Sequence, residues 1–173
     1  MSTSENNVRV IGQGQSLTHS KEQTIKHIDR VQSLMGRAVT KLVVRALVHD
    51  KSKLESPEVE VFEEFTPKLA GCTYGSDEYK GFLAAMKPAL DHHYAHNSHH
   101  PEHTSEGIRG MSLLDLIEMA MDWWAATERH NDGNVFKSVE INQKRFGYSD
   151  ELKQILLNTY LELNAPQPAD TKQ

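Results

Sequence analysis

Six of the chain's ten histidines fall within twelve positions, in the stretch Asp91-His92-His93-Tyr94-Ala95-His96-Asn97-Ser98-His99-His100-Pro101-Glu102-His103. Imidazole fills a core poorly and is a middling helix former, so such a cluster adds little stability. Its ring nitrogens can instead bind a metal, or move a proton near neutral pH. A solvated His-rich loop that collects metal adventitiously is the plainer alternative. The rest of the chain weighs against it, because His27, the adjacent pair His49-Asp50 and Asp122 stand where helices can bring them to one point.

The elements that must do this positioning read as helices. Ile25, Ile28, Val31 and Met35, then Val39, Leu42, Val43, Ala46 and Leu47, keep the three-and-four spacing of an apolar face from about Ser20 to His49-Asp50, interrupted at Gly36. One straight helix over this span would put His27 and His49 roughly 33 Å apart at 1.5 Å per residue, too far to share an ion. A role for His27 beside His49 therefore requires a turn near Gly36 to Ala38. Neighbouring helical side chains diverge by about 100°, so His49 and Asp50 can converge on one ion only at a helix end, where they are expected to lie.

Ser56-Pro57-Glu58 has the make-up of a capped helix start, and that helix is expected to stop before Pro67. Ser76-Asp77-Glu78 starts another, and Pro88 sets Ala89 to Asn97 on its own axis with His92, His93 and His96. Residues 97–110 are too rich in His, Pro, Gly and Ser to be regular, and a loop of that length in a compact domain is more often functional than idle. Ser112 to Asp115 forms a capping box that opens the most apolar helix, Leu113 to about Arg129. Asp115, Glu118 and Asp122 make one stripe along it. Such a stripe is usually a wet face, but here the apolar residues leave little room for one, and buried carboxylates need cations or donors. Asn131-Asp132-Gly133 reads as a turn, followed by helices over Val135 to Phe146, closed by Gly147, and Ser149 to about Leu163. The expectation is an all-α, single compact bundle of six to seven helices over residues 18–164, with a loose arm at 1–17 and a frayed tail at 165–173.

At 173 residues the chain can bury a core without staples, and its one cysteine, Cys72, excludes an internal disulfide framework. Net charge of −5 argues against a general nucleic-acid binder. No apolar run approaches the roughly 20 residues that span a bilayer, and Met1 to Ser16 lacks a signal-peptide core, so the chain reads as cytoplasmic with no membrane role. A small anionic ligand fits this balance, and a dimer is compatible with it.

The order of these candidates resembles the HD-domain superfamily of metal-dependent phosphohydrolases: a His on one helix, His-Asp closing the next, extra histidines for a second metal, and an Asp on a later helix. The resemblance implies His27, His49, Asp50 and Asp122 as ligands, with His93 and His100 for a second ion. More closely, His49-Asp50-Lys51-Ser52-Lys53, the 92–103 cluster and Glu118-Met119-Ala120-Met121-Asp122-Trp123 look like a family of small phage and bacterial proteins known by a domain of unknown function. The nucleoside-monophosphate phosphatases of the superfamily carry a Glu three residues after the paired Asp, where this chain has Lys53. Lys51 and Lys53 then read as phosphate-binding cations or as a solvated loop, joined by Lys137 and Arg145 as candidate substrate contacts. Acid-base work is expected of Glu118, one turn before Asp122, and of His96 or His103, with Asp50 at the catalytic centre. Trp123 and Trp124 read as core, or one as a stacking surface for a base.

Mixed N and O ligands suit one or two ions of Mn, Fe, Co, Ni or Zn better than Mg or Ca. Three functions follow. The first is hydrolysis of a nucleotide, cyclic nucleotide or related phosphoester by metal-activated water. The second is a di-iron oxygenase of the HD type. The third is a non-catalytic binder of a nucleotide or a host protein, in keeping with the phage-like resemblance.

Overall fold

The computed structural model describes residues 13–72, 76–129 and 133–164, which form seven α-helices and no strand. The all-α class expected from periodicity is what the chain adopts. The arm expected at 1–17 lies outside the described residues up to position 12, and its remainder is already helical; the tail at 165–173 and Asn131-Asp132 of the expected turn also lie outside them.

The first helix, α1, runs Gln13–Val48 without a break. The turn anticipated at Gly36 is absent: one glycine costs a helix only about 1 kcal/mol, which the neighbouring hydrogen bonds of a long helix absorb. The chain divides into two compact units, Met1–Val43 and Val44–Gln173, so α1 crosses the boundary between them. In the first unit every described side chain from Thr18 to Lys41 is exposed. The apolar face of Ile25, Ile28, Val31, Met35 and Val39, expected to be core, is in contact with solvent.

The second unit holds α2 Glu58–Ala70, α3 Asp77–Ala85, α4 Lys87–His96, α5 Leu113–Thr127, α6 Val135–Phe146 and α7 Asp150–Asn164. α2 passes through Pro67, where the expectation had it end. The proline deprives only the Glu63 carbonyl, and both residues are exposed, so water can take the lost partner's place. Ser56 provides no cap; Pro57 occupies the cap position without a side-chain bond. Ser76 does cap α3, and Ser112 with Asp115 closes a complete capping box on α5. Gly147, at φ 66°, ends α6 in the left-handed conformation that favours glycine.

The apolar core of this unit joins α5, α6 and α7 through Ala120, Val135, Val139, Tyr148, Leu156 and Tyr160, with Trp123 and Trp124 packed against it. Tyr160 is fully buried and its hydroxyl donates to the Ala120 carbonyl at 2.8 Å, so the burial leaves no polar group unpaired. No described helix is long and apolar enough to cross a membrane.

Candidate metal centre

Among the described residues, the buried polar ones are Glu58, His93, His99 and Asp115, and all four belong to one neighbourhood of the second unit. It is built from the end of α1, the 3-10 turn Lys51–Leu54, the start of α2, the end of α4 with the loop after it, and α5. α1 stops because Asp50 takes left-handed backbone angles, φ 54° and ψ 15°, which Asp tolerates better than most residues. That conformation turns the chain at the His49-Asp50 pair and closes the divergence two helical neighbours would otherwise have.

The inward atoms can be followed one by one. His49 Nε2 stands 3.6 Å from Asp50 Oδ2 and 3.7 Å from Asp122 Oδ1. His93 Nε2 lies 3.3 Å from Asp50 Oδ1 and 2.9 Å from His100 Nε2. His99 Nε2 is 3.4 Å from Asp50 Oδ1. Two imidazole nitrogens at 2.9 Å must share either one proton or one cation. The donor atoms fall into overlapping sets, Asp50 with His93, His99 and His100, and Asp50 with His49 and Asp122, each within 4.8 Å; Asp50 is common to both.

The outward nitrogens explain why Nε2 faces in. His49 Nδ1 bonds Glu118 Oε1 at 2.9 Å, and His99 Nδ1 lies 3.2 Å from the same oxygen. His93 Nδ1 bonds Glu58 Oε2 at 2.9 Å. A carboxylate behind an imidazole fixes the Nδ1–H tautomer and leaves the Nε2 lone pair free, the arrangement of metal-bound histidines. Glu58, fully buried, also accepts from Ser52 Oγ at 3.0 Å and engages His92 at 2.7 Å. Glu118 is gripped by Arg45, whose Nε donates to Oε2 at 2.6 Å, while Arg45 Nη2 reaches Asp115 and Ser98.

Asp50 Oδ1 and His99 Nε2 are buried with no hydrogen-bond partner among the protein atoms. Buried polar atoms are almost always paired, so this orphaned carboxylate oxygen facing an orphaned imidazole nitrogen fits a cation between them. Without an ion the carboxylates set the charge of His49: hydrogen bonding to Asp122, then Glu118 and the field of Asp50, hold it up to about 9 against the opposing effect of burial, so a cation bound there displaces a proton. Burial and the neighbouring His99 and His93 push His100 down to about 3, which keeps its ring neutral and its lone pair available. Burial alone would raise Asp50, but the nearby imidazoles of His93 and His99 and the Lys53 ammonium outweigh it and hold its carboxyl far below the usual carboxylate range.

Of the residues expected as ligands, His49, Asp50, His93, His100 and Asp122 are brought together. His27 is not: it stands exposed on an unbroken helix, so the condition for its sharing an ion with His49 fails. His99 takes a place in the set instead. The cluster signalled it, but nothing in one dimension separates His99 from its five neighbours. Glu118, expected as an acid-base group, has its oxygens committed to His49, His99 and Arg45, so its role is positioning. His96 and His103 are exposed and bonded to the backbone carbonyls of His92 and Tyr94, away from the inward atoms. Glu58 and Arg45 were not anticipated; on the sequence they pass for a helix-start acid and a basic helix residue.

A cleft of about 630 Å³ adjoins the centre, lined by His100, Asp122, Trp123, Lys137, Asn142 and Arg145 among others. Lys137 and Arg145, the candidate substrate contacts, line its wall, and Arg145 is held by Glu102 at 2.8 Å. Lys53 binds Asp50 Oδ2 at 2.6 Å, whereas Lys51 is exposed on the 3-10 turn. Trp123 stacks on Phe146 with an interplanar angle of 6°, so it serves the core and the cleft wall together.

A family model described as "Family of unknown function (DUF5662)" matches residues 16–162. No curated protein and no solved structure matches the chain.

Proposed function

The chain belongs to DUF5662, a family of unknown function, and on that premise we propose that it is a metal-dependent phosphohydrolase acting on a nucleotide, cyclic nucleotide or related phosphoester. One observation carries the reading: two donor sets, Asp50 with His93, His99 and His100 and Asp50 with His49 and Asp122, share Asp50 beside a ligand-sized cleft. The resemblance to HD-type hydrolases points the same way.

The mixed imidazole and carboxylate set suits one or two divalent transition ions, of Mn, Fe, Co, Ni or Zn, which would supply a water of lowered pKa and neutralise charge on a phosphoryl group. Asp50, common to both donor sets, would help hold an ion in either of them. Glu58 and Glu118 keep the imidazoles in one tautomer and orientation, so the chain does not have to reorganise them during a reaction. His100 and Asp122 line both centre and cleft, so a substrate seated in the cleft meets the centre on that side. Lys137 and Arg145 offer cations to its remaining charge; Arg145 must then exchange Glu102 for the ligand. The Trp123 side of the cleft gives a flat apolar surface to an uncharged ring.

The test is metal analysis of the native protein, followed by a panel of nucleotides and other phosphoesters with each retained ion, under air and under nitrogen. Turnover with Mn under nitrogen is the expected result. Oxygen-dependent turnover of an iron form would replace hydrolysis with oxidation, and recovery of intact ligand in stoichiometric amount would replace it with binding.

A further inference from the structure

Resting on the metal-dependent reading above, we propose that the two donor sets at Asp50 are unequal. The set of Asp50, His93, His99 and His100 holds a resident ion, while the set of Asp50, His49 and Asp122 takes an exchangeable one, because the Lys53 ammonium competes with it for Asp50.

The two oxygens of Asp50 face different surroundings. Oδ1 lies 3.3 Å from His93 Nε2 and 3.4 Å from His99 Nε2, and no donor of the protein reaches it. Oδ2 stands 3.6 Å from His49 Nε2 and already accepts from Lys53 Nζ at 2.6 Å. The orphaned pair, Oδ1 and His99 Nε2, thus lies on the four-donor side, and the three-donor side meets Asp50 at an oxygen whose charge is matched.

Donor number and burial act in the same direction. Three imidazoles and a carboxylate complete a four-coordinate site, and His93 and His99 are buried within it. The other set offers three donors, none of them buried, and its Asp122 borders the cleft. An ion there keeps a position for water or for a ligand oxygen, so it is easily exchanged.

Lys53 is fixed from two directions. Its backbone N–H donates to the Asp50 carbonyl at 3.0 Å within the 3-10 turn, and its ammonium lies 5.4 Å from the centre of the Phe62 ring on α2. A divalent ion at about 2 Å from Oδ2 would stand within roughly 5 Å of that ammonium, where like charges repel. The ion must bind against the ammonium or displace it, and either lowers its affinity.

Titration of the ion-free full chain with Mn(II), the free ion counted by electron paramagnetic resonance, tests this in wild type, Lys53→Met, Lys53→Arg and Asp122→Asn, with far-UV circular dichroism reporting the fold. Wild type should bind its first equivalent at least about 100-fold more tightly than its second. Lys53→Met should tighten the second event by about tenfold or more and leave the first within about threefold, whereas Lys53→Arg, which keeps the charge, should follow wild type. Asp122→Asn should weaken the second event alone. Two equivalents of matched affinity in wild type, or a folded Lys53→Met that leaves the second event unchanged or tightens both alike, overturns the inference and leaves the hydrolase reading standing. A wild type that binds no ion of Mn, Co or Zn overturns both.

Discussion

The two sides of α5 are dry for opposite reasons. On one, Ala120 packs with Val139, Leu156 and Tyr160, apolar surfaces whose removal from water is itself the driving force. On the other, Glu118 and Asp122 meet His49, Arg45 and the buried His99, groups whose removal from water costs free energy unless every lone pair is matched. The first region is complete as it stands. The second is complete only on its outer layer, where Arg45, Ser98 and Ser112 meet Asp115, Arg45 also holds Glu118, and Glu58 and Glu118 engage imidazole Nδ1 atoms, while Asp50 Oδ1 and His99 Nε2 have no hydrogen-bond partner. A fold keeps such an arrangement when something other than stability is gained from it, and that difference is why function is placed here.

The comparison breaks most visibly at Asp50. Asp50→Ala should reduce ion content to background and any turnover by roughly 1,000-fold, with the ion-free protein still folded but its melting temperature lowered, because Ala takes the left-handed angles at this position poorly and Lys53 loses its partner; metal analysis beside calorimetry reads both. Full ion content in that variant would contradict the centre. The mirror experiment is Leu156→Ala in the apolar region, which should cost about 3 kcal/mol in denaturant titration and leave ion affinity within about threefold.

Two further variants test the layer between the regions. Glu118→Gln removes the charge that orients His49 and His99 and should weaken ion binding by about 10- to 100-fold in competition with a chelator, at little cost to folding. Asp115, held down to about 2 by hydrogen bonds from Ser112, Ser98 and Arg45 that outweigh its burial, links the same layer to acid stability. Its folded pKa is depressed, so its contribution of about 2 kcal/mol is present above the ordinary carboxylate pKa near 4 and is lost as pH falls through 2. Ion-free protein should therefore lose melting temperature between about pH 4 and 2, and Asp115→Asn should flatten that slope. The smallest effect is expected in the cleft, where Arg145→Ala should raise KM about tenfold while leaving kcat and ion content nearly unchanged.

Much of this was legible in one dimension. Pro88, Gly147, the Ser76 cap and the Ser112-Asp115 capping box act within a turn or two of themselves, and each marks an element boundary where it was expected. Pro67 and Gly36 misled because a helix tolerates one missing bond or one flexible residue when its flanks continue it. Asp50 and Asp122 could be singled out by type and placement. Glu58 could not, since its acid is ordinary at a helix start until His92 and His93, more than thirty residues on, close over it.

By itself, then, the sequence determined an all-helical chain, those of its breaks that are marked by caps, Pro88 and Gly147, and a pool of histidines and carboxylates suited to a transition ion, because periodicity, caps and residue chemistry are properties of short stretches. Tertiary structure alone decided which members of that pool meet: His99 and not His27, Glu118 behind the histidines and not among the reacting groups. The physical reason is that a donor set is defined by which lone pair faces inward, and that is fixed by partners brought from distant positions, Glu58, Glu118 and Arg45.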